Sequence, residues 1–450
     1  MTAVESGSET GAARPKGERL LTHLLLISTR LGSTVSKFLL AIYTARYLGL
    51  ADLGIYGLLA SATILVPAIV GGGMTQWLMR NIVDVPRAKA LPLIAGRLSM
   101  ILLILLALMP LALGLDVLAG EPIPLAIAAL CGAIVVLETL GFETVDMLLA
   151  RRRVVLAYLL SFLRTGAWPI PVMLLGILYP ELRTLEWVLI GWLVAQIACL
   201  LLVAALAIPE GRWRHMKPRQ VAGRMAFLFG QLPRTVPLYV RDIGSVASMF
   251  IDRFLISIFV GLELTGVYTL FWSIANVVHS LSVHGLLQAQ LPQIISTAQK
   301  GDAFAFRALE RRLQIETGAW ALLLTLGAAI AMPLMLPFLG QPLVNDYLPL
   351  FWVILFATLL RIAADAYGFV LLALHRDRAI AIVALAGAAA SAVLNLILTP
   401  LAGLWGAAAA YVLTSGGLFA ARFYFSRQAK VPAAPGEVQS SVRQESPIAL

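Results

Sequence analysis

The chain has 450 residues, of which 60% are hydrophobic and only 13% are charged. Soluble domains carry about 25% charged residues, so this composition excludes a soluble protein and indicates an integral membrane protein. The net charge of +10 does not indicate nucleic-acid binding, because the basic residues are spread over short segments between apolar blocks.

Residues 1–19 lack the apolar core of a signal peptide, and their Gly, Ser, Glu and Arg content predicts a disordered tail. Continuous apolar blocks follow, each long enough to cross about 30 Å of hydrocarbon as a helix. Because the blocks do not alternate polar and apolar residues, a β-barrel is excluded. The sequence therefore predicts an all-α polytopic membrane protein with about 12 transmembrane helices. The predicted spans are 20–45, 53–79, 93–115, 124–149, 154–178, 187–208, 236–259, 264–290, 317–339, 347–373, 379–400 and 402–425.

The predicted spans group into two bundles, residues 20–208 and residues 224–425, which a basic cytoplasmic linker joins at 209–223. Within the second bundle, an amphipathic segment near 302–316 predicts an interfacial helix. Residues 426–450 predict a second disordered cytoplasmic tail.

The distribution of basic residues predicts the orientation of the chain. Most of the 34 Lys and Arg residues lie in segments that face one side, whereas only Arg46 and Arg183 lie in loops that face the other. The positive-inside rule therefore places both termini in the cytoplasm.

An internal repeat relates the two predicted bundles. A shift of 212 residues aligns residues 47–76 with 259–288 without a gap, and nine of the 30 positions are identical. The identical pairs are Gly49/Gly261, Leu50/Leu262, Gly54/Gly266, Tyr56/Tyr268, Leu58/Leu270, Ser61/Ser273, Val66/Val278, Gly73/Gly285 and Gln76/Gln288. Six predicted spans separate the paired segments, so the sequence predicts two parallel six-helix repeats around a central cleft.

Charged residues within the spans are the strongest functional signal, because a charge at bilayer depth is unfavourable. His23, Arg30 and Lys37 recur every seven residues, which places them on one face of the first span about 10 Å apart. Arginine forks match phosphate oxygens, so an excess of cations in a cleft predicts a diphosphate ligand. The predicted diphosphate-binding residues are Arg30, Lys37, Arg164 and Arg241.

Two acidic residues are predicted coupling sites, Glu138 in the fourth span and Asp242, which the repeat places at the position of Arg30. Arg361 and Asp365 are four residues apart and predict an internal ion pair. Polar and aromatic residues near the cleft are candidate sugar contacts, with core packing as the open alternative for each: Tyr56, Gln76, Tyr268, Asn276 and Gln288. The sequence predicts no metal site and no cofactor.

Short motifs carry a resemblance to a known family. The stretch from Arg46 to Tyr56, followed by a span that ends at Gly73, resembles the amino-terminal signature of the Wzx-type polysaccharide flippases. These flippases belong to the multidrug/oligosaccharidyl-lipid/polysaccharide exporter (MOP) superfamily. The segment from Gly261 to Tyr268 resembles the family's second-half motif, and Pro400 to Ala410 is similar to its last-span glycine-alanine pattern.

The resemblance implies that the protein flips a polyprenyl-diphosphate-linked oligosaccharide from the inner to the outer leaflet of the bacterial inner membrane. The product would enter a surface polysaccharide such as O-antigen, as part of lipopolysaccharide, or exopolysaccharide. First-span cations are prominent in the family, and Arg30 and Lys37 are the matching positions here. The implied partners are the lipid-linked oligosaccharide, membrane lipids and other polysaccharide assembly proteins.

Two other functions remain open from the sequence. A multidrug exporter of the same superfamily would share the spans and the repeat, although cationic drugs suit an acidic cleft better than a basic one. A membrane polysaccharide polymerase or glycosyltransferase is the second alternative. The chain contains no Asp-x-Asp, no Gly-x-Ser-x-Gly and no Gly-Lys dipeptide, so the sequence favours transport over catalysis.

Overall fold

The computed structural model describes residues 16–82, 87–118, 124–207 and 217–429, and this part of the chain contains no β-strand. The side chains of Arg30, Gln76 and Arg241 lie outside the described part, although their backbones belong to described helices. Most of the two predicted tails, at 1–15 and 430–450, and the first half of the predicted linker also lie outside it. The next helix begins at Pro218, within the predicted linker.

The first half of the chain forms eight helices. They are α1 (Lys16–Tyr47), α2 (Leu50–Gly71), α3 (Met74–Ile82), α4 (Arg87–Leu118), α5 (Leu125–Ala150), α6 (Val154–Phe162), α7 (Pro169–Leu178) and α8 (Leu185–Ala207). A π-helical turn, Leu163–Ala167, joins α6 to α7, so that these two helices form one span.

The second half forms seven further helices. They are α9 (Pro218–Val260), α10 (Leu262–Ser282), α11 (Gln288–Gln299), α12 (Ala303–Leu339), α13 (Pro342–Asp346), α14 (Leu348–Ala373) and α15 (Asp377–Gln428). A π-helical turn, Val283–Leu287, joins α10 to α11. The backbone of α15 leaves the helical conformation at Ala402 and Gly403, so α15 consists of two helices that meet at a kink.

Nine helical segments of the described chain are long and apolar enough to cross a membrane, or ten if a bent segment of α9 is included. Counting α1 and dividing α15 at its kink brings the number of spans to about 12. The structure therefore confirms the predicted all-α multi-pass architecture. The ends of α1 and α9, at Tyr47 and Val260, are called the outer ends below, after the predicted orientation.

The two repeats meet in a reciprocal contact between α2 and α10. A Cβ on Gly54 would overlap the carbonyl oxygen of Leu262, and a Cβ on Gly266 would overlap the carbonyl oxygen of Leu50. The shift of 212 residues converts the first contact into the second, so a pseudo-twofold axis passes between these helices. The backbones of the two bundles approach this closely only because glycine has no side chain.

The turns that precede these helices are also equivalent. Gly49 has φ 107° and ψ 174°, and its repeat partner Gly261 has φ 99° and ψ 170°, a conformation that non-glycine residues rarely adopt. Further along α2, Gly57 contacts Thr269, and the shift of 212 residues makes these two residues equivalent positions in the two repeats. The structure thus supports the internal repeat through both conformation and contact.

A buried arginine stabilises the break between α2 and α3, where Gly72 and Gly73 both have left-handed φ values. Nη2 of Arg97 donates to the carbonyl oxygen of Gly71 at 2.9 Å and to Glu143 Oε1 at 2.6 Å. Arg97 lies four residues after the start of the predicted span 93–115, and its side chain is fully buried in the first bundle. Because the helix break exposes carbonyl groups, Arg97 supplies the hydrogen bonds that the backbone loses there.

The predicted interfacial helix near 302–316 differs from the structure. These residues form the first turns of α12, which begins with the Asp302 side chain accepting a hydrogen bond from the backbone N–H of Ala305 and continues to Leu339. Phe306 and Leu313 pack into a core cluster with residues of α11 and α14. The apolar face that suggested contact with lipid headgroups is therefore covered by the second bundle itself.

The α2–α10 contact predicts an effect of a single methyl group. Gly266→Ala should lower the free energy of unfolding by about 1–3 kcal/mol, because the new Cβ overlaps the backbone of α2. Titration with dodecyl sulfate from mixed micelles measures this quantity. Gly327→Ala is the matched control, because nothing lies within 4 Å of its Cβ position in α12. Equal unfolding free energies for the two variants would contradict the described contact.

Candidate functional site

Lys37 lies near the middle of the membrane without a carboxylate partner among the described residues. It is half-buried on α1, ten residues before the outer end at Tyr47, which corresponds to about 15 Å of helix. The hydrocarbon core is about 30 Å thick, so this position is close to its midplane. The guanidinium of Arg164 is near enough to repel the Lys37 ammonium, which increases the positive potential there.

The structure brings together Arg164 and Glu138, which the sequence predicted for separate roles. Arg164 lies in the π-helical turn between α6 and α7, and its Nη1 forms an ion pair with Glu138 Oε2 on α5. Glu138 Oε1 accepts two further hydrogen bonds of 2.8 Å, from Trp192 Nε1 and from Gln196 Nε2 on α8. Phe142 covers the guanidinium at 4.3 Å from the ring centroid.

This buried cluster changes the interpretation of both residues. Arg164 and Glu138 are 3% and 2% exposed, so neither faces an open cleft in this conformation. Their charges cancel, whereas Lys37 has no carboxylate partner among the described residues. The carboxylate of Glu138 is engaged by three donors.

The cationic face of α1 contacts the second bundle. Thr34 lies between Arg30 and Lys37 at helical spacing, so the three residues share a face. The hydroxyl groups of Thr34 and Ser280 on α10 are 3.4 Å apart. The stripe that the sequence predicted thus faces the boundary between the two bundles.

A second cluster of charges surrounds Asp365 in the second bundle. Its Oδ2 is 2.8 Å from His279 Nε2 on α10, and its Oδ1 is 2.5 Å from Arg422 Nη1 on α15. Arg361, the partner that sequence spacing predicted, is farther away, with 4.0 Å between its Nε and Asp365 Oδ1. Sequence spacing did not predict His279 and Arg422 as partners of Asp365, because their helices are distant from α14 along the chain. The signal that could have indicated them is an ionisable residue within each of their apolar blocks.

Arg253 joins the two bundles near their outer ends. Its Nη1 donates to Ser61 Oγ on α2 at 3.0 Å, and its guanidinium stacks 3.7 Å above the ring of Trp272. The Arg253 side chain is 1% exposed, and the nearby carboxylate of Asp252 is 4.0 Å away. Arg253 therefore stabilises the contact between the bundles in this conformation.

The predicted sugar contacts are divided by burial. Tyr56 is buried with its ring centroid 5.9 Å from that of Trp192, and Tyr268 is fully buried with its hydroxyl donating to Asp252 Oδ2 at 2.6 Å. Both tyrosines are therefore buried in the core and inaccessible to a sugar in this conformation. Asn276 is half-buried and Gln288 is exposed.

The two remaining predicted site residues lie on α9. Asp242 is half-buried, while the side chain of Arg241 is outside the described part.

The described residues contain no group of three or more His, Cys, Asp and Glu side chains that could hold a metal ion.

The outer ends of the bundles enclose an acidic cavity. Its volume is about 610 Å³, and its walls include Asp52 of α2, Glu263 of α10 and Asp346 of α13. The sign of the charge therefore changes along the boundary between the bundles, from cationic at Lys37 to acidic at the outer surface.

No family model matches the chain, and no curated protein matches it in sequence. It is similar to a solved structure of a multidrug resistance MATE family transporter of the MOP superfamily in an inward-facing conformation. The identity is 14% and the TM-score 0.61, over 94% of this chain and 100% of that chain. An outward-facing MATE transporter gives 14% identity and a TM-score of 0.53, over 93% of this chain and 98% of that chain.

The lipid II flippase MurJ, in an inward closed conformation, is similar to the same extent. Its identity is 13% and its TM-score 0.62, over 91% of this chain and 87% of that chain. These similarities show that the chain has the fold of MOP-superfamily transporters.

The buried ion pair predicts a large loss of stability when one partner is removed. Glu138→Gln should lower the free energy of unfolding by about 3–5 kcal/mol, because the Arg164 charge then remains in the core without a counter-ion. Thermal unfolding in detergent, followed by size-exclusion chromatography, measures the change. Glu316→Gln is the matched control, because its partner Arg312 is 72% exposed and water solvates both groups. Equal losses in the two variants would contradict the arrangement.

Proposed function

We propose that this protein flips a polyprenyl-diphosphate-linked oligosaccharide from the inner to the outer leaflet by alternating access. The single observation that carries this proposal is the ammonium of Lys37, which lies near the middle of the membrane beside Arg164 and has no carboxylate partner among the described residues. The product would enter a surface polysaccharide such as O-antigen or exopolysaccharide. Positive-inside charge supports a position in the bacterial inner membrane with cytoplasmic termini.

The energetics of a buried cation support an anionic substrate. A lysine at the centre of a membrane helix is unfavourable by about 2.5–3.5 kcal/mol on insertion scales, so an unpaired one is retained for a function. A diphosphate supplies the missing negative charge at that depth. Its polyprenyl chain remains in the hydrocarbon while the charged head crosses between the bundles, and a half-buried amide such as Asn276 is available to the sugars.

The contact between the bundles supports alternating access. Glycines allow close approach of α2 and α10, and Arg253 adds a hydrogen bond to Ser61 there. Buried side chains of both repeats, such as Leu53 and Phe271, belong to one hydrophobic cluster, so the two bundles are in close contact in this conformation. Rocking of one bundle against the other would therefore open the outer end, as in transporters built from paired repeats.

A specific observation favours a second function, cation-coupled multidrug export. The outer cavity is lined by acidic residues, which would attract a cationic drug, and two of the similar structures are named as multidrug resistance transporters. Deeper in the membrane the charges favour an anion, because Glu138 and Asp365 are both engaged by arginines while no described carboxylate neutralises Lys37. No feature of the described helices favours a polysaccharide polymerase or glycosyltransferase.

The proposed role of Lys37 predicts a charge-dependent phenotype. In cells depleted of the wild-type protein, Lys37→Gln should reduce outer-leaflet display of lipid-linked oligosaccharide by about tenfold or more, since the counter-charge for the diphosphate is lost. Lys37→Arg, which keeps the charge, should restore most of the display. A membrane-impermeant probe of the sugar measures both.

Lys300→Gln provides the control, because Lys300 is exposed where α11 ends. This variant should display oligosaccharide normally at the same membrane abundance. Normal display with Lys37→Gln would remove Lys37 from the substrate path.

A further inference from the structure

We propose that Arg361, Arg422 and His279 form a second subsite for one phosphate group, which the Asp365 carboxylate fills in the substrate-free protein. The substrate phosphate would displace Asp365, and Asp365 would return when the phosphate leaves. This inference rests on the proposed function, because it assigns a second station to the same anionic substrate.

The geometry is that of an anion-binding pocket with an acidic side chain inside it. Three helices contribute to it, with His279 on α10, Arg361 on α14 and Arg422 on α15. His279 and Arg422 bind different oxygens of Asp365, at 2.8 Å and 2.5 Å. The Asp365 side chain is 17% exposed, so the pocket is not completely sealed.

The carboxylate does not satisfy the groups around it. Two guanidinium charges face a single carboxylate charge, and the Nε groups of both Arg361 and Arg422 are buried without a hydrogen-bond partner in the described part of the chain. Buried donors without acceptors are unfavourable and rare in native proteins. A phosphate group carries up to two negative charges and three acceptor oxygens, so it matches these donors better than Asp365 does.

The helix α10 contributes both to the pocket and to the contact with the cationic stripe of α1. His279 precedes Ser280 along α10, and the hydroxyl group of Ser280 is 3.4 Å from that of Thr34 on the stripe. His279 and Asp365 each lie 17 residues from the outer end of their helix, or about 25 Å, as Arg30 does on α1. Lys37 is about 10 Å farther outward, so the pocket receives a phosphate from the inner side before Lys37 does.

The exchange of Asp365 for phosphate predicts that a substitution in the subsite increases the affinity for an anion. Removing the Asp365 charge should strengthen anion binding, because the internal competitor is lost, and should slow flipping, because nothing then displaces the phosphate. A purely structural ion pair would predict unchanged or weaker binding after the same substitution.

The test measures binding of inorganic pyrophosphate to the purified full-length protein in lipid nanodiscs by isothermal titration calorimetry. Asp365→Asn should bind about tenfold more tightly than wild type, and Arg422→Gln about tenfold more weakly, since one charge-assisted contact is lost or freed. Glu316→Gln removes a carboxylate from an exposed ion pair and should leave the affinity unchanged. In cells, Asp365→Asn should flip oligosaccharide more slowly than wild type.

A measurement on the wild-type protein avoids dependence on variants that fail to fold. Pyrophosphate should shift the side-chain ¹⁵N resonance of His279, assigned with His279→Gln, as its hydrogen bond to Asp365 breaks. An unshifted His279 resonance at saturating pyrophosphate, or unchanged or weaker binding by folded Asp365→Asn, would overturn the subsite.

The same data separate the two proposals. Binding that disappears with Lys37→Gln but does not respond to changes at Asp365 or Arg422 would overturn the subsite and leave the proposed function standing. Absence of pyrophosphate binding to wild type, together with normal oligosaccharide display in depleted cells, would contradict both.

Discussion

A charge in the interior of a membrane must be paired, hydrated or neutralised by a ligand, and the arrangement of this protein follows from that constraint. Arg97 pairs with Glu143 and Arg164 pairs with Glu138, each pair inside the first bundle. In these cases the polar groups stabilise irregular backbone or turns, and each charge is neutralised by its partner inside the fold. Lys37 breaks the pattern, because no carboxylate among the described residues neutralises it. The proposal of a site for an anionic lipid head rests on this exception and not on the total positive charge of the chain.

The packing inside each bundle can be compared with the packing between the two bundles. Inside each bundle, large side chains pack closely, as in the stack of Trp168 on Trp192 with 5.2 Å between ring centroids. Between the bundles, glycines, hydroxyl groups and one arginine make close contacts at the outer ends. Buried side chains of both halves, such as Leu53 and Phe271, also belong to one hydrophobic cluster. Under the proposed function, a substrate that binds another conformation more tightly shifts the equilibrium away from this packing.

Sequence reasoning reached the architecture but only part of the site. Continuous apolar blocks and the 212-residue repeat are local or periodic signals, and they sufficed to predict the spans and the equivalence of Gly54 and Gly266 in the two repeats. Partners across helices were not predictable, because burial of Arg164 against Glu138 depends on how α5 packs beside the π-helical turn. The environment of a residue near the end of an apolar block is ambiguous for the same reason, and Arg97, close to the start of the predicted span 93–115, is an example because its side chain is fully buried. Tyr268 was a reasonable sugar contact by type, but its environment is the core.

Under the proposed function, the membrane interior of this protein accepts an anionic lipid head and rejects a cation. The most direct measurement reconstitutes the protein in liposomes and compares the transbilayer movement of a fluorescent short-chain polyprenyl diphosphate with that of a fluorescent lipophilic cation. We predict that the diphosphate crosses in protein-containing liposomes, that Lys37→Gln abolishes this movement, and that the cation shows no protein-dependent movement. Protein-dependent movement of the cation, with no movement of the diphosphate, would contradict the account and favour multidrug export.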